Sequence, residues 1–578
     1  MPGIIFEPLI SQKFEETVLR KIMKRAGRRN QERSLARSVA RCGLCAFCIV
    51  AAVLPVVARP GASEAKDKIG WVPREILERP VPLRSGVGIA HEKVTTSSPQ
   101  AQAFYDQGLA YLNSFVWIEA ARSFNQSLRL DPSLAMAYVG LSDAYIGLQD
   151  IPAAHAAFEK AQALSGKVSG EERAMIAIRA RQFDYLEDSG NLQKYFAYRQ
   201  AISDALAATP TDPWLWILRG FADEGTPYAH GQGGKVDTIA FYETALALSP
   251  HNFVAHHYLA HTLENLGRTK EALAQAEAYC RLAPAIPHAH HMVGHELMRL
   301  GRTEEAIQEF LKAEQLENAY YRAESIPAKY DWHHAHNLFL LAMCYESLGQ
   351  MKAAEPAFRE AFSLPAYTDL AEFNRAAWPE FLLSRGRAQE AFDASQSLIN
   401  SHWAMGRFAG ETLAGRALLA MGRPEDAKNE LTMAEQEMEQ LPVSVIATLP
   451  NAGDLHAHIL LQEKRWNRGN ALMRQIEEKI VAVPGPDAWI DALFQLESIA
   501  EAARHYGDWD LAKSTALRMV QHDPSYAGGY YALGLVAQHQ GDAAAARQEF
   551  GAAEKLWSNA DPGMPELARI HQALTAGQ

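Results

Sequence analysis

From Ala101 onward, small, aromatic and polar residues return in a fixed order every 34 positions. In residues 101–134, Gly108, Tyr111, Ala120, Phe124 and Pro132 stand at repeat positions 8, 11, 20, 24 and 32. The next unit has Leu141, Tyr145, Ala154, Phe158 and Ala161 at positions 7, 11, 20, 24 and 27. Further units begin at Phe253, Pro287, Ala335, Glu372, Phe408, Ala452, Leu493 and Ala527. Within each unit the apolar positions follow helical spacing, which predicts two antiparallel helices that cross closely at small residues and interlock through bulky ones. Gly267, Gly301, Gly349, Gly386, Gly422 and Gly507 all take position 15. That is the turn between the two helices, where a residue tolerating positive φ ends the first of them.

A small residue at position 8, an aromatic at 11, Ala at 20, an aromatic at 24 and Pro at 32 together resemble the tetratricopeptide repeat. The resemblance implies an all-α, right-handed superhelical solenoid of about eleven helix pairs, because each pair buries its face only by stacking on its neighbours. It also implies a concave inner wall lined by positions 2, 5, 9 and 12 of each first helix, where a protein or peptide partner sits. Along the chain this gives repeat units 1–2 at 101–169, degenerate helical repeats at 170–250, His-rich units at 251–368 and C-terminal units at 369–578. The degenerate stretch carries an insertion around Glu224–Lys235 with Tyr228, His230 and four glycines.

Ahead of the repeats the pattern changes. Residues 1–58 pair a basic stretch (Arg20 to Arg41) with the apolar run Cys42–Ala58. A positive flank before a short apolar core reads as an export signal, cleaved or retained as an N-terminal membrane anchor; at 17 residues the run is short for a spanning helix. The expected location is exported, periplasmic or otherwise extracytoplasmic. Cys42, Cys45 and Cys48 inside that run read as small apolar residues rather than metal ligands. Residues 59–100 are rich in Pro and Gly without helical periodicity and read as a linker.

Composition removes some function classes. The net charge is −12, and residues 1–60 contribute eleven Lys/Arg against four Asp/Glu, so the repeats carry about −19. A body that acidic does not neutralise phosphates, which excludes nucleic acid as a partner. Beyond the N-terminal run only Cys280 and Cys344 remain, too few for a disulfide framework.

Eleven of the 21 histidines fall between His251 and His336. On the repeat frame, His257 and His261 occupy positions 5 and 9, His288, His291 and His295 positions 2, 5 and 9, and His336 position 2. Histidines three or four apart share one helix face. Helices packed at about 8–10 Å can aim imidazoles from adjacent units at one ion, with bonds of about 2.0–2.1 Å. These six are the candidate metal ligands, with His333 and Met343 as further members and Cys344 close by. Their number suits two ions, or one ion with an oriented outer layer. Imidazole takes copper, zinc or iron, and a Met343 or Cys344 ligand would favour copper. The others in the stretch, His251, His256, His290 and His334, read as packing or hydrogen-bonding residues.

The motifs His257-Tyr258-Leu259-Ala260-His261, His288 to His295 and His336-Asn337 also resemble a bacterial tetratricopeptide group with H-Y-Y-x-H, H-x-x-H-M-x-x-H and H-N signatures. No reaction follows from that likeness. His295-Glu296 is followed at i+4 by Arg299, so the zinc-peptidase motif is missing. Asp223, Glu224, Glu264 and Glu346 are the carboxylates nearest the inner positions, and any repeat surface carries such acids. Two functions stand at this stage: an exported scaffold binding a partner in its groove beside a metal site, or a metal-dependent enzyme (copper or iron oxidoreductase, zinc hydrolase) using that groove.

Overall fold

The structure, a computed structural model, describes residues 72–224, 234–367, 369–441, 449, 453–483 and 485–575, all in the unit Phe47–Gln578. The export segment 1–58, the first part of the Pro/Gly-rich stretch and residues 225–233 of the insertion lie outside the described residues.

After a single turn, α1 (Arg74–Leu77), the helices run in pairs. They are α2 (Pro99–Leu112) and α3 (Trp117–Leu130), α4 (Ala135–Gly147) and α5 (Ile151–Leu164), α6 (Gly170–Glu187) and α7 (Leu192–Ala208), and α8 (Pro213–Asp223) and α9 (Val236–Leu248). The His-rich pairs are α10 (Phe253–Asn265) and α11 (Thr269–Leu282), α12 (Pro287–Arg299) and α13 (Thr303–Glu324), and α14 (Trp332–Ser347) and α15 (Met351–Ser363). There follow α16 (Asp369–Ser384) and α17 (Ala388–Ile399), α18 (Ala404–Ala420) and α19 (Pro424–Met438), and α20 (Asp454–Gln462) and α21 (Trp466–Ile480). The array ends with α22 (Pro486–Tyr506) and α23 (Trp509–His522), α24 (Ala527–His539) and α25 (Ala543–Leu556), and the closing helix α26 (Pro565–Thr575). Each helix packs on its partner and on the next pair, an all-α solenoid with twelve pairs among the described residues. None of these helices is long and apolar enough to cross a membrane.

The small residue at position 8 has a direct steric cause. A Cβ on Gly294 would come within 2.7 Å of the Phe310 ring at position 24, so only glycine lets α12 and α13 close over that fully buried phenyl group. At position 15 the expected left-handed turn recurs, with φ near +72° at Gly267, Gly301 and Gly349. Three units make this turn without glycine: Phe115 and Gln149 hold φ +60° and Lys464 φ +61° with side chains attached. A left-handed residue bearing a Cβ costs about 1–2 kcal/mol, so Phe115 needs a compensating role.

Residues 72–98 differ from a free linker. Val72, Ile76, Leu77, Val87 and Val94 are buried in the same core as the repeats. The strap crosses from the first unit to the His-rich units: Arg79 donates to the Glu324 carbonyl, Arg84 pairs with Glu324, and Ala285 N donates 2.8 Å to the Gly86 carbonyl. Its apolar residues, spaced among the prolines, hold it down by burial. At the other end, α22 packs on α12 and α14, and Trp557 donates to the Ser347 carbonyl at 3.2 Å.

Candidate metal centre

Three successive first helices build the centre. Asn252 caps α10 by accepting from Ala255 N, Pro287 opens α12, and Asp331 caps α14 by accepting from His333 N. These caps set the phase of each helix, and the i, i+3 and i, i+4 spacing then aligns the rings. His257, His261, His288, His291, His295 and His333 are all 6% exposed or less, and His336 is half-buried. They form three overlapping groups: His257/His261/His288, His288/His291/His333 and His291/His295/His336, each with ligand atoms within 4.8 Å of one another. The structure thus brings together all six candidate ligands and His333. Met343 is buried on the same helix as His333 and His336, α14. Cys344 is buried too, its thiol pushed up by desolvation.

Their outer nitrogens are held from behind. His257 Nδ1 donates to the Asn113 carbonyl at 2.8 Å. His291 Nδ1 donates to Asn337 Oδ1 at 2.9 Å, and Asn337 is oriented by its own bond to the Phe310 carbonyl. His333 Nδ1 lies 2.5 Å from Glu317 Oε1, whose other oxygen accepts from His334 at 2.7 Å. His295 Nδ1 and His261 Nδ1 stand 3.3 and 3.7 Å from the two oxygens of Glu264, at ion-pair distance but poorly aligned for hydrogen bonds. Oriented partners of this kind fix the tautomer and leave Nε2 as the donor to a metal.

Two inner contacts follow. His257 Nε2 and His288 Nε2 are 3.0 Å apart, and His291 Nε2 and His295 Nε2 are 2.7 Å apart. With its Nδ1 proton on Asn337, His291 presents a lone pair. Without an ion, His295 can carry a proton on each nitrogen, one given to His291 Nε2 and the other facing the Glu264 carboxylate; a metal at the two Nε2 atoms would take the place of the first. Burial and the neighbouring imidazoles push His288, His291 and His336 well below the usual histidine pKa, toward neutral rings. Burial alone would raise Glu264, but the facing His295, His261 and Arg299 outweigh it and hold the carboxyl well below its usual range. Clustered imidazoles beside a buried carboxylate form a donor set that fits a transition metal. In tetrahedral zinc the N···N distance is about 3.3 Å, so the rings need to part by roughly half an ångström.

The centre is enclosed. Phe115 enters from the α2–α3 turn, with its ring centroid 4.9 Å from His257 and 5.0 Å from His288. Trp332 stacks on His336 at 5.8 Å and on Trp117 at 5.3 Å. From α22, Asp487 reaches within 3.5 Å of His336 Nδ1, and burial lifts its carboxyl to about 6. The histidines therefore line a closed interior rather than an open groove. Of the other carboxylates, Asp223 pairs with Arg199 and Arg219, Glu224 accepts from Tyr242, and Glu346 faces Ser384. Only Glu264 joins the histidines. Glu296 is buried beside it, pushed well up by desolvation and the Glu264 charge. Asn113, Phe115, Glu317 and Asp487 complete the site without any signal in the local repeat pattern. Asn337 did have one, the residue after His336 in the H-N motif.

Stacked two-helix units with a left-handed turn at a constant position define a helical-repeat protein. Family models for the tetratricopeptide repeat match residues 241–274 and 287–320 and 335–367, so the chain carries tetratricopeptide repeats there, and all the site's histidines but His333 sit inside the matched residues. No curated protein matches the chain. Among solved structures, a tetratricopeptide repeat protein from Parabacteroides merdae is similar at 16% identity over 47% of this chain and 96% of that one, TM-score 0.33. YrrB, described as a TPR protein with an unusual peptide-binding site, is 17% identical over 35% and 93%, TM-score 0.25. MamA is 15% identical over 32% and 92%, TM-score 0.25.

Proposed function

We propose that this repeat scaffold is exported and holds two transition-metal ions in its buried histidine core. One ion lies among His257, His261 and His288, the other among His291, His295 and His336, and His333 serves as a further ligand between them. The observation that carries this reading is the convergence of seven histidines in three overlapping groups, each with ligand atoms within 4.8 Å of one another. An all-imidazole donor set takes zinc, copper or iron. Enclosure by Phe115 and α22 favours an ion that is held rather than one that meets a substrate. A protein or peptide partner then binds on the outer repeat surface, with the metal fixing the shape it reads.

Elemental analysis of the untagged full-length chain, grown with zinc, copper and iron, tests this. About two ions are expected in the core, and His261→Ala with His295→Ala should remove them while far-ultraviolet circular dichroism keeps its helical signal. Background metal in the unmutated chain, or unchanged metal in the double variant, would overturn the proposal.

A further inference from the structure

Repeat symmetry supplies an internal control for another group of donors. His256 and His290 take the same position in consecutive units and make the same pair of contacts. His256 Nε2 donates to the Pro250 carbonyl at 3.2 Å, and its Nδ1 faces Gln275 Oε1 at 2.6 Å. His290 Nε2 donates to the Pro284 carbonyl at 3.2 Å, and its Nδ1 faces Glu309 Oε2 at 2.7 Å. In the earlier unit the arrangement is complete with neutral groups, because the Gln275 amide can turn its NH2 toward the ring. The later unit replaces that amide with a carboxylate, which accepts from the ring, so His290 gives a proton from each nitrogen, to Pro284 and to Glu309, and pairs with the acid as an imidazolium. The same step exchanges Leu246 for Cys280, whose Sγ stands 3.6 Å from His290 Nδ1. Both exchanges go from residues that hold no metal to residues that do, and the hydrogen-bonded buttress requires neither.

We infer that Cys280, His290 and Glu309 form a second, peripheral metal site for one thiophilic cation of the zinc class. The three donors lie within 4.8 Å of one another and are partly exposed. In tetrahedral zinc with one sulfur and one imidazole ligand the S···N distance is about 3.6 Å; Cys280 Sγ stands 3.6 Å from His290 Nδ1 and 3.8 Å from Nε2, so the ring must rotate to aim its Nδ1 lone pair at an ion beside the sulfur. Glu309, with 32% of its side chain exposed, has room to move back the roughly half ångström that an oxygen ligand needs. Three protein ligands leave the fourth position to water, so this ion exchanges with solvent while the core ions do not. On loading, the Cys280 thiol loses its proton and the His290 ring loses the proton it shares with Glu309, so two protons leave as one dication enters. The inference stands apart from the histidine core, which contains no thiolate.

Cobalt(II) bound to the full-length chain is the probe, since thiolate ligation adds a charge-transfer absorption that imidazoles do not. The unmutated chain should show this band and lose it on zinc addition. Cys280→Leu, which restores the residue of the preceding unit, should abolish the band and lower bound zinc by one equivalent. Glu309→Gln, likewise taken from that unit, should weaken zinc at least about tenfold. Zinc should also protect Cys280 from alkylation in the unmutated chain, read at its own peptide by mass spectrometry, which does not depend on how any variant folds. No band in the unmutated chain, a band unchanged in Cys280→Leu, or equal alkylation with and without zinc would each overturn the site.

Discussion

Phe115 offers the most direct test of how the first repeat closes over the histidines. Its ring is 5% exposed and touches His257, His288 and Trp332, while its backbone holds φ +60° where other units place glycine. Two effects therefore act in opposite directions. Phe115→Ala removes the buried ring, a loss of about 3–5 kcal/mol for a large-to-small core change, and keeps the left-handed strain. Phe115→Gly loses the same ring but relieves about 1–2 kcal/mol of strain. Glycine should thus be the more stable variant by about 1 kcal/mol, the reverse of the usual order in helices, where Ala exceeds Gly by about that amount. Urea unfolding followed by tryptophan fluorescence is the assay, since Trp117 and Trp332 flank the ring at 6.2 and 6.5 Å. An alanine variant within 1 kcal/mol of the parent would show that the ring does not pack as described. A glycine variant less stable than alanine would show that the turn is unstrained.

Other outcomes follow from the same geometry. Glu264→Gln keeps the shape but removes the charge behind His261 and His295, and should weaken core metal by about 10–100-fold in competition with a chromogenic chelator. Gly88→Ala should detach the strap: its φ is +89° and an added Cβ would lie 2.6 Å from the Phe253 ring. Overpacking costs about 1–3 kcal/mol, so limited proteolysis should cut within residues 72–98 far faster than in the parent. Burial lifts the Glu346 carboxyl to about 8 against the pull of Arg385. Above its unfolded value the folded state then binds the extra proton, so this group lowers stability as pH rises from about 4.5 to 8, by up to about 1.4 kcal/mol per pH unit. Glu346→Gln should flatten that slope in urea titrations across the range, and an unchanged slope would refute the assignment.

Much of the fold was legible because one local rule repeats. A period of 34 and a left-handed turn at position 15 locate the first helices of most units outside 170–250, and the repeat frame then placed His257, His261, His288, His291, His295 and His336 on one side. What escaped depends on contacts between distant units. Asn113 and Phe115 stand 144 and 142 positions before His257, and they meet it from the first repeat pair. Asp487 comes from α22, far along the chain. Glu317 lies on the second helix of its pair, outside the inner positions, and reaches His333 because α13 runs 22 residues. Residues 72–98 of the Pro/Gly-rich stretch are a different case: Pro and Gly suit a packed strap as well as a free linker, and only the spaced apolar residues distinguish the two.

The energetics of the core explain why distant units converge there. His261 Nε2, His288 Nδ1, His295 Nδ1 and His333 Nε2 are buried with no hydrogen-bond partner from the protein. At about 1–3 kcal/mol for each unpaired buried group, they would cost about 4–12 kcal/mol, comparable with the roughly 5–15 kcal/mol that holds a whole domain together. Two of them, His261 Nε2 and His333 Nε2, lie on the side proposed for the ions, where structural zinc would supply about 10–16 kcal/mol. Repeat arrays ordinarily couple each unit only to its neighbours. Here Asn113 and Asp487 join the histidines from units on either side, so an ion bound among them couples the first repeat, the His-rich repeats and α22 at one point. Chelation should therefore loosen that junction before it melts the helices, exposing Phe115 and Trp332 to solvent while most of the helical signal persists.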